Sequence, residues 1–257
     1  MKTKLSENKT VGAIMINALL AAVSLFVNGF GVYLTIRANI GAAPWDVLNL
    51  GVSKTASILY GTASISISAV ILLIDVLLRE PIGISMIIDA IVVGKSVDFF
   101  NYIDAVPQPK TLVGSVLMIA VGLLILGYTQ CFYMKASLGC GPRDTLLVGL
   151  KKRTKKIPIG AVSIGLLSLA TLIGWLLGGK VGVGTLLCAF GAGPVMQFAF
   201  FTLRFDATRV RHQNIRGSFK VFRAALRRLF GKETKPSGAK TKTKKKGKAK
   251  APIKKTK

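Results

Sequence analysis

Three aspartates stand in or beside apolar stretches of this chain, and each has a setting that could support chemistry. Asp46 closes Gly41-Ala42-Ala43-Pro44-Trp45-Asp46, Asp144 closes Gly139-Cys140-Gly141-Pro142-Arg143-Asp144, and Asp89 stands in the apolar run after Pro81. Proline suits the first position of a helix, where its missing N–H is not needed, and an acid in the first turn can accept from free N–H groups. The glycines at 41, 139 and 141 allow a sharp entry. Two uses follow for Asp46 and Asp144. They can satisfy their own helix starts, or the two starts can converge and present positive dipole ends to an anionic group. In the second case Arg143 assists, while Trp45 at the equivalent place breaks the symmetry. Asp89 is a different case. A carboxylate at mid-membrane costs about 2.5–3.5 kcal/mol, so such a group faces a bundle interior or a water path, as a proton relay, a solute ligand or a structural hydrogen-bonding group. Asn28 and Gln130 are candidate polar donors to the same pocket.

The two Pro-Asp segments are copies. Ala38 to Asp46 recurs as Ala136 to Asp144 at an offset of 98 residues, which also carries Gly29 onto Gly127 and Gly51 onto Gly149. One inserted residue later the offset is 99, and Gly61, Gly83 and Gly94 fall on Gly160, Gly182 and Gly193. This reads as a duplicated unit of about 75 residues.

The elements that must position these residues are membrane spans. Of 257 residues 51% are apolar, and the mean hydropathy is +0.53. Six spans are expected, at about Val11–Ile36, Ile58–Leu78, Ile82–Asn101, Thr111–Tyr133, Ile157–Leu177 and Val181–Leu203, each long enough to cross about 30 Å of hydrocarbon. Pro44–Gly51 and Pro142–Leu150 predict short helices that sit at the membrane or dip into it. Spans two and three, and five and six, read as hairpins about the turns Arg79-Glu80-Pro81 and Gly178-Gly179-Lys180. The fold class expected is therefore all-α, a polytopic membrane bundle of two repeats, residues 11–101 and 111–203, each with a broken or re-entrant helix. Three spans per repeat is an odd number, so the second copy enters upside down. Loop charge agrees: Arg37 and Lys54 face Asp46 in the first Pro-Asp loop, whereas the second carries seven basic residues against Asp144. Lys/Arg excess marks the cytoplasmic side, which puts the N- and C-termini inside.

Other polar residues in the spans are structural candidates. Ser64, Ser68 and Asp75 share one helix face, with Asp75 close to Arg79; Ser85, Asp89 and Ser96 share another, and Lys95 can pair with Asp98 three residues on. Gly114, Gly122, Gly165, Gly174, Gly182, Gly184, Gly191 and Gly193 let helices approach closely. Cys131, Cys140 and Cys188 read as small buried residues, without disulfide or metal-ligand spacing. No metal, cofactor or catalytic residue is expected.

The formal charge of +26 is uneven. From Arg204 onward 20 Lys/Arg oppose Asp206 and Glu233, a net of +18. Residues 1–10 form a basic N-terminus ahead of an uncleaved first span. Residues 204–231 read as a basic amphipathic helix with Arg216, Lys220, Arg223 and Arg227 on its polar face, and residues 232–257 as a disordered Lys-rich tail. Anionic lipid is the expected partner of this region. Nucleic acid is disfavoured, because no aromatic or base-reading pattern accompanies the lysines. A homo-oligomer is compatible with the composition.

The Gly-x-x-Pro-Trp-Asp stretch followed by Gly-x-Gly-Pro-Arg-Asp in the second half resembles the bacterial YczE/YyaS/YitT family of integral membrane proteins, its YczE-like branch in particular. The resemblance covers about Val11 to Leu203 and implies a multi-pass protein of the bacterial plasma membrane; it implies no substrate. The leading expectation is a small-solute permease working by alternating access around a midplane site for an unknown polar or anionic solute. The alternative is a membrane scaffold or regulator with a lipid-binding tail. An enzyme is not expected, since the spans hold no histidine, paired carboxylates or nucleophile elbow.

Overall fold

A computed structural model describes residues 11–80, 84–135, 141–154 and 156–204. The basic amphipathic helix and the Lys-rich tail expected after Leu203, and the loop glycine Gly139, lie outside the described residues. Among the described residues all regular structure is helical: α1 (Val11–Arg37), α2 (Pro44–Ala56), α3 (Tyr60–Leu77), α4 (Ile84–Tyr102), α5 (Leu112–Lys135), α6 (Pro142–Arg153), α7 (Ile159–Leu176) and α8 (Val183–Thr202).

The two short helices begin as proline dictates. The residue before a proline is pushed into extended backbone, and Ala43 (φ −60°, ψ 151°) and Gly141 (φ −67°, ψ 164°) both adopt it. Pro44 and Pro142 then open their helices. α2 ends where Ser57 turns left-handed (φ 52°) and its N–H donates to the Ser53 carbonyl. With 13 and 12 residues, these helices are about 20 Å long at about 1.5 Å per residue, short of the hydrocarbon thickness. Both nevertheless run past the ends expected from the sequence, Gly51 and Leu150.

Among the described residues five helical stretches are long and apolar enough to cross a membrane: Leu19–Arg37, Tyr60–Leu77, Leu112–Met134, Ile159–Leu176 and Val183–Thr202. The sixth span expected corresponds to α4, where Asp89, Lys95 and Asp98 interrupt the apolar run. Large apolar side chains line the outside of the bundle, among them Leu77, Phe190 and Phe201 at 72%, 77% and 84% exposure, while Ser64, Ser68, Asp75, Asn49 and Thr35 are buried. A surface this apolar suits contact with lipid.

α1 packs against α4 and α5, α5 against α8, and α3 against α4. The short helices fill the remaining space: α2 lies on α7 and α3, and α6 lies on α3 and α7. The α1–α4 seam is aromatic, with Phe30 and Phe100 centroids 4.8 Å apart and Tyr33 buried beside them. At its end the Tyr33 hydroxyl both donates to the Val106 carbonyl (3.2 Å) and accepts from the Val106 N–H (3.1 Å), and Arg37 pairs with Asp104. The connection between the two halves is thereby tied to α1. The α2–α7 crossing is close-packed. A Cβ on Gly174 would lie 2.5 Å from the backbone of Val47 and Leu48, and one on Gly51 2.4 Å from the Gly174 carbonyl.

Three expectations are corrected. α7 and α8 do not pack as α3 and α4 do. The start of α8 is instead held by the first Pro-Asp loop: Gly184 N–H donates to the Ile40 carbonyl at 2.8 Å, and Ala42 N–H to the Lys180 carbonyl at 3.4 Å. Lys95 does not pair with Asp98. It is exposed, and Asp98 Oδ1 accepts the Gly61 N–H at 2.7 Å across the α3–α4 crossing. Among the described residues nothing lies within 4 Å of where Gly165 or Gly193 would carry a Cβ, so there they mediate no close helix approach.

Candidate functional site

The two Pro-Asp starts meet. The Arg143 guanidinium carbon lies over the Trp45 ring, 5.2 Å from its centroid, within the reach of a cation–π interaction. Trp45 and Arg143 occupy the same place in the two copies of the motif, 98 residues apart. Arg143 acts electrostatically on both Asp46 and Asp89. α4 brings Asp89 to the same place: its Oδ2 lies 3.0 Å from where Gly141 would carry a Cβ, and Asp144 Oδ2 lies 3.9 Å from that point. A side chain at 141 would press on the Asp89 carboxylate and shift it by a few tenths of an ångström.

The three carboxylates differ in setting. Asp46 is buried at 4% exposure and does not serve as the side-chain cap of α2; Ala43 is the N-cap, with no side-chain cap bond. Instead the Tyr60 hydroxyl, at the start of α3, donates to Asp46 Oδ1 at 2.8 Å, and Asn49 Nδ2 donates to the Tyr60 hydroxyl at 3.0 Å. Asn49 Oδ1 is buried and has no hydrogen-bond partner among the described residues. Asp89 is half-buried and Asp144 exposed. The outcome is a cluster of one guanidinium and three carboxylates, with Asp46 enclosed by the Tyr60–Asn49 polar chain.

The polar donors expected from the sequence lie on the two long helices that precede the motifs, α1 and α5. Asn28 Nδ2 donates to Thr129 Oγ1 at 2.9 Å and so bridges α1 to α5; Gln130 is half-buried on α5. Gly41 (φ +114°) takes a backbone conformation that side chains resist, and its loop packs against the start of α8.

Asn49 and Tyr60 were not legible as site residues. Asn49 had a local signal, since it stands three residues after Asp46 on one helix and shares its face. Tyr60 had none, because its approach to Asp46 is made by the turn at Ser57. Asp75 is a second surprise. It is fully buried in α3, both carboxylate oxygens lack a hydrogen-bond partner among the described residues, and Arg79, which stood near it in the sequence, is exposed. An intramembrane carboxylate without a partner is a functional candidate on energetic grounds alone.

Apolar outer faces, buried carboxylates and two half-length helices meeting at their starts define a multi-helix membrane protein. The chain belongs to a family of unknown function, DUF6198, whose model matches residues 15–200. It is 33% identical over 183 residues to an uncharacterized protein of Haemophilus influenzae, a match spanning 71% of this chain and 82% of that one. It is 30% identical over 177 residues to the uncharacterized membrane protein YczE of Bacillus subtilis (68% and 81% of the two chains) and 23% identical over 177 residues to the uncharacterized protein YyaS of the same organism (68% and 87%). The YczE-like kinship read from the paired motifs therefore holds. No solved structure matches.

Proposed function

We propose that this protein is a small-solute transporter of the plasma membrane whose two halves, inserted with opposite orientation, rock about the Trp45–Arg143 contact. That contact carries the reading. Residues at the same place in two copies of a unit touch each other only when the position lies close to the axis relating the copies. The helix pairings support the same relation: α1–α4 matches α5–α8, α2–α7 matches α3–α6, and α2–α3 matches α6–α7. Inverted repeats with half-helix starts at the midplane are an architecture of secondary transporters.

In this reading Arg143 and the two helix starts bind the anionic or polar end of a solute. Asp89 couples a proton, taken up on one side of the membrane and released on the other, to the solute's passage, and the Asn49–Tyr60–Asp46 chain holds α2 in place while the halves move. No metal, cofactor or catalytic group is invoked, and the loop charges put both termini in the cytoplasm. The test is uptake by purified protein in liposomes over a broad panel of polar and anionic solutes. A pH gradient should drive uptake by the wild type and not by Asp89→Asn. Failure to move any solute, with or without the gradient, would overturn the proposal.

A second reading, a scaffold or regulator, is favoured by the charge of +18 gathered beyond the bundle, which suits anionic lipid. Truncation after Leu203 separates the two. Loss of the cellular phenotype on truncation, with Asp89→Asn harmless, supports the scaffold; the reverse supports transport.

A further inference from the structure

The duplication gives two lysines the same place and different surroundings. Lys152 follows Lys54 by 98 residues. Lys152 Nζ lies 2.5 Å from Glu80 Oε2, and the Glu80 side chain is buried at 6% exposure. The residue equivalent to Glu80, 99 positions on, is Gly179. No acid fits there, because a Cβ on Gly179 would lie 2.3 Å from the Val47 carbonyl oxygen. Lys54 therefore runs along the Gly178 turn, with Nζ 3.3 Å from the Cβ position of that residue, and among the described residues it has no ion-pair partner.

A second ammonium stands close by. Lys180 is exposed and donates to Asn39 Oδ1 at 2.5 Å, a neutral partner that leaves its charge uncompensated. Lys54, Lys180, Asn39, Ser53 and Leu50 line a cleft of about 360 Å³, and no carboxylate is among its lining residues. A volume of this order is the low end of small-molecule sites. Two lysines and an amide around an apolar floor are complementary to an oxyanion, whose charge-assisted hydrogen bonds are roughly twice as strong as neutral ones; the Ser53 hydroxyl is already committed to the Ile58 carbonyl at 2.6 Å.

We propose that this cleft, on the face of the first Pro-Asp loop, binds a small solute through a carboxylate or phosphate group that takes the place Glu80 fills in the other half. The inference rests on the duplicated sequence and on the cleft, and it stands whether or not the midplane cluster transports anything.

The test uses the full chain in nanodiscs of purely zwitterionic phosphatidylcholine. Citrate, succinate and inorganic phosphate are titrated calorimetrically against chloride at matched ionic strength. At least one oxyanion should bind, and the Lys54→Gln/Lys180→Gln double variant should weaken that binding tenfold or more. Lys95→Gln, an exposed lysine on α4, should leave it unchanged. All three lysines are exposed, so these variants fold. Repeating the titration with phosphatidylglycerol in the disc identifies the source of the oxyanion. Competition that vanishes in the double variant makes a lipid phosphate the natural occupant; no competition makes it a free solute. Absence of oxyanion binding to the wild type, or binding within twofold in the double variant, would overturn the proposal.

Discussion

Gly174→Ala should loosen the bundle at one defined place, and its size can be worked from the α2–α7 crossing. The added methyl would lie 2.5 Å from the Cα and N of Leu48 and from the carbonyl carbon of Val47, where carbon atoms settle at about 3.5–4.0 Å. These are backbone atoms and cannot swing aside, so α7 must back away from α2 by about 1 Å. A gap of that size forfeits a quarter to a half of each contact it opens, and overpacking of this kind costs about 1–3 kcal/mol. Alanine regains up to about 1 kcal/mol of helix propensity over glycine, which leaves a net loss of about 2 kcal/mol at most. Gly165→Ala is the internal control. It lies on the same helix, meets nothing within 4 Å, and should show only the propensity gain. The two variants should then differ by the overpacking cost, roughly 1–3 kcal/mol, or about 2–12 °C in Tm for a chain of this size. Tryptophan fluorescence of the detergent-solubilised protein during heating measures it. If the two variants melt together, the close approach of α2 to α7 is not what holds these elements, and the reasoning fails.

Tyr60→Phe strands both Asp46 Oδ1 and Asn49 Nδ2; two buried groups left unpaired should cost about 2–4 kcal/mol. An unchanged melting curve would remove Tyr60 from the account. Single cysteines at Ser53 and Lys151, in a background lacking the native cysteines, should react with an impermeant maleimide from opposite sides of sealed vesicles. Reaction from one side alone would end the inverted-repeat reading.

The sequence by itself determined the elements that depend on local chemistry. Apolar runs long enough to cross hydrocarbon placed the long helices within a few residues of α1, α3, α4, α5, α7 and α8. Pro44 and Pro142 set the starts of α2 and α6, because proline restricts its own backbone and that of the residue before it. Tertiary structure decided who meets whom. Asp46 is satisfied by Tyr60 rather than by its own helix start, Asp98 by the Gly61 N–H rather than by Lys95, and α8 docks on the first Pro-Asp loop rather than on α7. Each of these depends on the approach of distant backbones, which is governed by where side chains are missing. A glycine shows in the sequence, but whether another helix fills its space, as at Gly174, or leaves it open, as at Gly165, is settled only by packing.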